Sequence, residues 1–374
     1  MANPSFETDT RIMRQAIELA RAARRLPYPN PWVGCVVVTG GKVAGQGTHH
    51  GAGTPHAEIM ALNEAGARAR GATLYVTLEP CCHFGLTPPC TQAILEKGVR
   101  RVVYALRDPN PAVEGKGAGI LRRAGLNVTS GIMRREAAAL NEVYLKYRAT
   151  LQPFITVKIA ATLDGKTATR RGESRWITGP EARRNSRLLR ARHQAVLVGV
   201  NTVLADNPHL GPRISKSGIE PNPWRVIMDS RLRTPPTARV IETGRCIVAC
   251  GHAATTMRIR RLQEAGAQVW QFPGSRVPLR PLLRKLAEDG IISLFVEGGA
   301  TVLGSFFDSN CVDRVYWYQS PLIVGSSLSR CAVAGKGVGR LNQAWRLRRV
   351  NMESYGRDWL IAGNLSRWAL AGPS

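Results

Sequence analysis

A histidine and a glutamate stand two residues apart in TPHAEIMAL, residues 54–62, just ahead of an apolar pattern with helical spacing. Further on, TLEPCCHFGLTPPC, residues 77–90, carries three cysteines among prolines. Imidazole and thiolate are ligands that zinc favours, and a catalytic zinc takes about three of them and keeps one position for water. His56, Cys81 and Cys90 supply that set from two segments that each begin a helix. Glu58, on the first turn of the first helix, can lie beside the ion without ligating it. The water would lose its proton near neutral pH. Glu58 would take that proton and deliver it to a leaving amine. Cys82 is read as a small apolar-like neighbour whose thiol points away from Cys81. His83 is left out of the ligand set, because catalysis needs an open position, and is read as facing substrate. The competing readings are a closed structural zinc site and inert buried thiols. Neither has a use for a non-ligating carboxylate at Glu58.

A second kind of chemistry is suggested by SLFVEGGATVLGSFF, where an apolar strand runs into Glu297, Gly298 and Gly299 and a helix opens at once. Glycines let backbone N–H groups approach an anion, and the helix N-terminus favours one. An ordinary strand–turn–helix corner would look the same. GKGAGI, residues 115–120, is glycine-rich but lacks the context of a dinucleotide fingerprint and is read as a loop. Lys158 stands in a strand that otherwise reads as buried, which makes it a candidate for contact with a reacting group.

These residues need a frame. Residues 8–25 read as an amphipathic helix. WVGCVVV (32–38) and KVAGQGTH (42–49) read as a hairpin around Gly40-Gly41. TLYVTLEP and RRVVYAL read as strands and GILRRAGL as a helix, the alternation of an α/β layered domain. A join falls near YRATLQPF, residues 147–154. A second alternating run follows: PFITVKIAATLDG as strand and turn, a helix from Gly179-Pro180, then the apolar strand-length runs AVLVGV, RVIMDS, CIVAC, AQVWQF and ISLFVEGG. A helix over ATVLGSFFDSN and a late strand over VDRVYWYQ complete it.

The 374 residues suggest two or three domains. Hydrophobic content of 44% and charged content of 21% describe a globular chain. No run approaches a membrane span, and the N-terminus has no signal-peptide core. Glu7, Asp9 and Glu18 argue against a transit peptide. A cytoplasmic enzyme is expected. The eight cysteines are scattered, so a local cluster reads as metal or catalysis rather than a disulfide framework. Net charge is +26, and only nine of the 52 basic residues are lysine. An anionic partner would explain the charge. The basic residues are spread along the chain rather than gathered in a tail, which favours a phosphorylated small molecule over nucleic acid. No membrane partner is expected, and a homo-oligomer is left open.

The ordered set His-x-Glu, Pro-Cys and a second Cys is the signature of zinc deaminases, although the second thiol here comes nine residues after the first. PNPWVG, GTHHGAGTPHAE, VTLEPCCHFGLTPPC and RDPNP resemble the deaminase half of the bifunctional riboflavin-biosynthesis deaminase/reductase family. VKIAATLDGKTA, GESRWIT, VGVNTVLADNP and FVEGGATVLGSFF resemble its reductase half. The resemblance implies a cytidine-deaminase-like three-layer α/β/α domain over 1–148 and a dihydrofolate-reductase-like α/β domain over 149–374. It implies hydrolytic loss of an amino group from a phosphoribosylamino pyrimidinone, then reduction of the ribose to a ribityl chain. Zn2+ and NADPH are the implied cofactors. It puts zinc on His56, Cys81 and Cys90, the proton shuttle on Glu58, and pyrimidine contacts on Asn30, His49, His83, Asp108 and Asn110. It puts NADPH near Ala160, Trp176, Thr202, Asp206, Ser230 and the segment Gly299, Ala300, Thr301, Val302, Leu303, Gly304, Ser305. It puts the ribosyl substrate near Ser174, Arg190, Leu210, Arg213 and Glu297, and the position of Lys158 in its strand makes it the candidate for the reacting sugar. Arg190 and Arg213 suit phosphate as forks. Asn30, Asp108 and Asn110 fit turn-forming roles equally well. Leu86 stands where the family usually has Lys or Arg, Cys82 where Ser is common, and Asn207 in place of Asp; Gly211-Pro212 interrupts a Leu-Thr-x-Arg run. The alternative reading is a tRNA adenosine deaminase, which the long Cys81–Cys90 spacing and the whole second half oppose.

Overall fold

The computed structural model describes residues 4–23, 27–85, 87–211, 222–242 and 244–370. The chain divides into two compact units, Met1–Thr150 and Leu151–Ser374. The first runs α1 (Pro4–Arg21), β1 (Gly34–Thr39), β2 (Lys42–Thr48), α2 (Ala57–Ala65), β3 (Thr73–Leu78), α3 (Cys90–Glu96), β4 (Arg101–Leu106), α4 (Lys116–Arg123), β5 (Asn127–Ser130), α5 (Arg134–Leu140) and α6 (Glu142–Thr150). Its sheet has the order β2-β1-β3-β4-β5, antiparallel across β2, β1 and β3 and parallel from β3 to β5. α1 and α5 pack on one face and α2, α3 and α4 on the other, which makes three layers. Gly40 and Gly41, with φ of 57° and 77°, close the β1–β2 hairpin. Two successive positive φ angles suit the twist of the flanking strands.

The glycines of β2 set the position of α2. A β-carbon on Gly45 or Gly47 would lie 2.2 or 2.1 Å from the backbone oxygens of Ala61 and Ala57. Bare backbone on that face lets the helix lie directly on the sheet, with Ala57, Ala61 and Ala65 buried between them. His56 is the N-cap of this helix and Glu58 lies in its first turn. Under the opposite face, Asp9 of α1 takes two hydrogen bonds from Arg101 at 2.9 and 2.6 Å and one from the Tyr75 hydroxyl at 2.8 Å.

The second unit runs β6 (Phe154–Ala161), β7 (Lys166–Ala168), α7 (Pro180–Ala191), β8 (Ala195–Gly199), α8 (Val200–Asp206), β9 (Trp224–Met228), β10 (Cys246–Cys250), α9 (Thr256–Glu264), β11 (Ala267–Gln271), α10 (Leu279–Glu288), β12 (Ser293–Val296), α11 (Ala300–Asp308), β13 (Arg314–Gln319), β14 (Arg330–Cys331), β15 (Arg348–Tyr355) and β16 (Asp358–Asn364). Nine strands form one sheet in the order β11-β10-β9-β8-β12-β6-β13-β16-β15, and β7 pairs with β14 apart from it. The sheet is parallel from β11 to β13 and antiparallel at β16 and β15. Its central parallel strands β8, β10 and β12 are almost wholly apolar, as strands covered on both faces tend to be. The segment 115–120, read from the sequence as a loop, opens α4 instead. Glu79 accepts from the N–H groups of Gly115 and Ala118 at 2.9 and 3.0 Å, and a β-carbon on Gly117 would lie 2.1 Å from the Pro80 oxygen. These glycines serve close packing.

Candidate active sites in the two units

In the first unit the turn after β3 and the start of α3 bring Cys81 and Cys90 to the N-terminus of α2. His56 Nδ1 lies 3.1 Å from Cys90 Sγ and 3.4 Å from Cys81 Sγ, and the three donor atoms lie within 4.8 Å of one another. The Cys90 N–H donates to Cys81 Sγ at 3.3 Å. Zn–S bonds of about 2.3 Å and Zn–N bonds of about 2.0 Å place the corners of a tetrahedral site about 3.5 Å apart, so this donor set fits zinc. The contact between the two thiols draws Cys81 down to about 4 and holds Cys90 well above the ordinary thiol range. The other ring nitrogen of His56, Nε2, lies 3.1 Å from the Thr87 hydroxyl, which fixes the ring with Nδ1 toward the sulfurs.

Glu58 is 4% exposed. Burial pushes its carboxyl up to about 7, the negative Cys81 adds to the rise, and the charge of His56 opposes it. A carboxyl that exchanges its proton near neutral pH can serve as both base and acid. These groups line a cavity of about 320 Å³ together with Asn30, His49, His83, Asp108 and Asn110. Asn30 Nδ2 lies 2.9 Å from His49 Nε2. Asp108 and Asn110 also act as turn residues: Asp108 Oδ1 accepts the Asn110 N–H at 2.9 Å, and Asn110 Oδ1 accepts the Ala112 N–H at 3.2 Å. Cys82 is outside the cluster, its thiol directed to the Ala112 oxygen at 3.6 Å. Thr87, inside the quoted 77–90 motif but given no role there, also lines the cavity, as do Tyr144, Tyr147 and Arg148, which lie outside every motif that the sequence reading used.

In the second unit Lys158 and Ala160 are the half-exposed positions of β6, two apart and so on one face. Lys158 Nζ sits 5.8 Å from the centre of the Tyr318 ring. Burial lowers its pKa, and the nearby Glu297 charge partly restores it. Arg190 directs its fork at Glu297, Nε to Oε1 at 2.6 Å and Nη2 to Oε2 at 2.5 Å, so the carboxylate occupies the donors that the sequence offered to a phosphate. Leu210 is 4% exposed with φ 57°, its side chain in the core. Arg213 and Leu86 lie outside the described residues.

Trp176 is 63% exposed with the Arg183 guanidinium 4.3 Å from its ring centre, and its neighbour Ser174 is exposed too. Thr202 is half-buried on α8. Asp206 pairs with Arg175 at 3.1 Å, and Ser230 Oγ accepts the Val277 N–H at 3.2 Å. Gly299 is the N-cap of α11, and a β-carbon there meets nothing within 4 Å. Ala300, Thr301, Val302 and Ser305 keep some exposure, whereas Leu303 and Gly304 are buried. Asn207 takes the left-handed conformation that ends α8, where Asn is favoured, and its Oδ1 accepts the Arg239 N–H at 3.0 Å.

Two family descriptions match these two units. Residues 6–106 match the cytidine and deoxycytidylate deaminase zinc-binding region, and residues 153–361 match the RibD C-terminal domain. The riboflavin biosynthesis protein RibD of Aquifex aeolicus is 43% identical over 355 residues, covering 95% of this chain and 98% of that protein. The chain belongs to the RibD family. RibD of Escherichia coli is 40% identical over 332 residues, 85% of this chain and 89% of that one. The solved structure of Acinetobacter baumannii RibD superposes with a TM-score of 0.88 at 36% identity, covering 97% of this chain and 100% of that one. A deaminase/reductase from Thermotoga maritima gives a TM-score of 0.81 at 34% identity over 97% of this chain. The chain is therefore a bifunctional deaminase and reductase of riboflavin biosynthesis. The RibD match supports a zinc-binding deaminase unit and a reductase unit that uses a nicotinamide cofactor. No helix among the described residues is long and apolar enough to cross a membrane.

Proposed function

We propose that the first unit removes the 2-amino group of 2,5-diamino-6-(5-phosphoribosylamino)pyrimidin-4(3H)-one as ammonia, and that the second reduces the ribosyl chain of the product with NADPH. The observation that carries the deaminase half is the convergence of His56, Cys81 and Cys90 within 4.8 Å beside the buried Glu58. The division of labour near residue 150 is part of the same reading.

His56, Cys81 and Cys90 would hold zinc, which when bound supplies a Lewis acid that makes a water nucleophilic at neutral pH. Glu58 takes the proton of that water and hands it to the departing nitrogen. The C–N bond breaks, a C=O bond forms and ammonia leaves. Asn30, His49 and His83 supply hydrogen-bonding groups to the pyrimidine edge. In the second unit NADPH supplies the hydride. Lys158 holds a proton at the oxygen of the reacting sugar carbon, and the Arg190–Glu297 pair fixes the charge around it. Ala160, Trp176, Thr202, Asp206, Ser230 and the exposed part of 299–305 line the cofactor. The reading puts the enzyme in the cytoplasm, acting on a small phosphorylated pyrimidine. The reductase half is what favours it over a nucleic-acid deaminase.

The test is to supply the zinc-loaded protein with the diaminopyrimidinone phosphate and NADPH, following ammonia release and NADPH absorbance separately. Ammonia release should come first and proceed without NADPH. An absence of ammonia release would remove the deaminase assignment, and equal rates with NADH would remove the cofactor assignment.

A further inference from the structure

The substrate proposed for the deaminase carries a phosphate dianion, and residues 83–90, HFGLTPPC, which lead to the second cysteine, offer it no Lys or Arg. A buried or half-buried dianion needs a permanent cation, and histidine is neutral for much of the physiological range. Among the described residues lining the deaminase cavity, Arg148 is the only Lys or Arg. It sits in the last turns of α6, half-buried, with its Cζ 5.9 Å from the centre of the Tyr144 ring. Tyr144 is fixed in turn, its hydroxyl donating to Asp108 Oδ1 at 2.9 Å. The ring thus gives the guanidinium a rigid support.

Its hydrogen-bonding capacity is unspent. Among the described residues the Arg148 guanidinium makes no hydrogen bond and no ion pair, in contrast to Arg101 and Arg190, which both hold carboxylates with two donors. Asp108, an acidic group on the same cavity, already accepts at Oδ1 from the Asn110 N–H and the Tyr144 hydroxyl. A guanidinium has five donors in a fork that matches phosphate, and one left unpaired on a cavity wall is available to a ligand.

We propose that Arg148 is the phosphate anchor of the deaminase cavity, supplying the permanent cation that residues 83–90 lack. The proposal rests on the deaminase reading above and adds to it the residue that selects a phosphorylated substrate. The site places Arg148 with Asp108 and Tyr144 on the same cavity as His56 and Glu58, so it contributes to binding and not to bond breaking.

The experiment compares wild type, Arg148→Gln and Arg148→Lys, each zinc-loaded, with the phosphorylated substrate and with its dephosphorylated ribosylamino counterpart. Loss of a charge-assisted contact should raise KM for the phosphorylated substrate about ten- to hundredfold. The kcat for that substrate and both constants for the dephosphorylated one should hold. Arg148→Lys should recover part of the loss, and ribose 5-phosphate should inhibit the wild type but not Arg148→Gln. Equal changes with both substrates, or none with either, would overturn the proposal. If wild type deaminates neither substrate, the deaminase reading falls by itself. Calorimetric titration with ribose 5-phosphate then still decides the anchor: Arg148→Gln should have one site fewer than wild type, and an equal number overturns it.

Discussion

Arg190 and Glu297 form a bidentate pair whose side chains are only 18% and 7% exposed, beside the ammonium of Lys158. Two cations thus share one carboxylate. Burial leaves Lys158 with a pKa below that of an ordinary lysine, the Glu297 charge keeps the drop from being larger, and the Arg190 charge adds a little to it. Lysine is protonated below its pKa, so a reductase that needs the ammonium should slow as pH rises through it. Glu297→Gln preserves shape but removes the negative charge. The falling limb of NADPH oxidation against pH should then move to lower pH, with the wild-type profile as reference. An unmoved limb would separate Lys158 from the rate.

Gly299 and Gly304 stand in one helical segment but answer to different demands. Gly299 has φ −68°, which any residue adopts, and faces open space. At Gly304 a β-carbon would lie 1.7 Å from the backbone oxygen of Ala334. Gly299→Val should leave thermal stability unchanged, raise KM for NADPH and spare ammonia release. Gly304→Ala should lower stability by about 1–3 kcal/mol through overpacking, measured by denaturant unfolding.

The contrast marks what could be read from the chain. Local signals carried well: the Gly40-Gly41 turn, the proline and glycine at α7, and the order His56, Glu58, Cys81, Cys90. The two turns are decided by neighbours within a few residues, and the donor set by residue type and order, although its members converge from 25 and 34 residues apart. Tyr144 and Arg148 reach the cavity from α6, more than 50 residues past Cys90, and only the fold shows it. The β15–β16 hairpin was not anticipated because Arg348–Tyr355 is an exposed edge strand without an apolar face. Helix α10 hides behind Pro281, tolerated because it falls in the first turn. The sequence offers Arg190 as a fork for phosphate and hides its carboxylate partner, since Glu297 lies 107 residues away.

His193 gives the second unit an acid limit. Its Nδ1 donates to the Leu189 oxygen at 2.7 Å and its Nε2 takes the Thr156 hydroxyl at 3.0 Å. Burial, more than any charge, pulls its pKa down to about 4. The unfolded chain therefore binds a proton below about 6.5 that the folded chain refuses, and stability falls with pH across that interval. The loss should reach roughly 3 kcal/mol by pH 4, on the scale of 1.36 kcal/mol per pKa unit. Urea unfolding of the second unit should show this slope, and His193→Gln should flatten it.

The two units should be separable by single substitutions. Cys90→Ser should sharply reduce bound zinc by metal analysis, since it removes one of three converging donors. Full zinc occupancy would take Cys90 out of the site. Glu58→Gln is the finer test, because it retains size and hydrogen bonding but cannot carry a proton. Ammonia release should fall by about 10²–10⁴-fold, the usual contribution of a general acid–base group. Zinc should stay bound, because Glu58 is not among the three donors within 4.8 Å of one another. NADPH oxidation on supplied aminouracil phosphate should proceed near the wild-type rate, because Lys158, Arg190 and Glu297 belong to the other compact unit. If Glu58→Gln silenced that oxidation while the protein remained folded, the assignment of one site to each unit would fail.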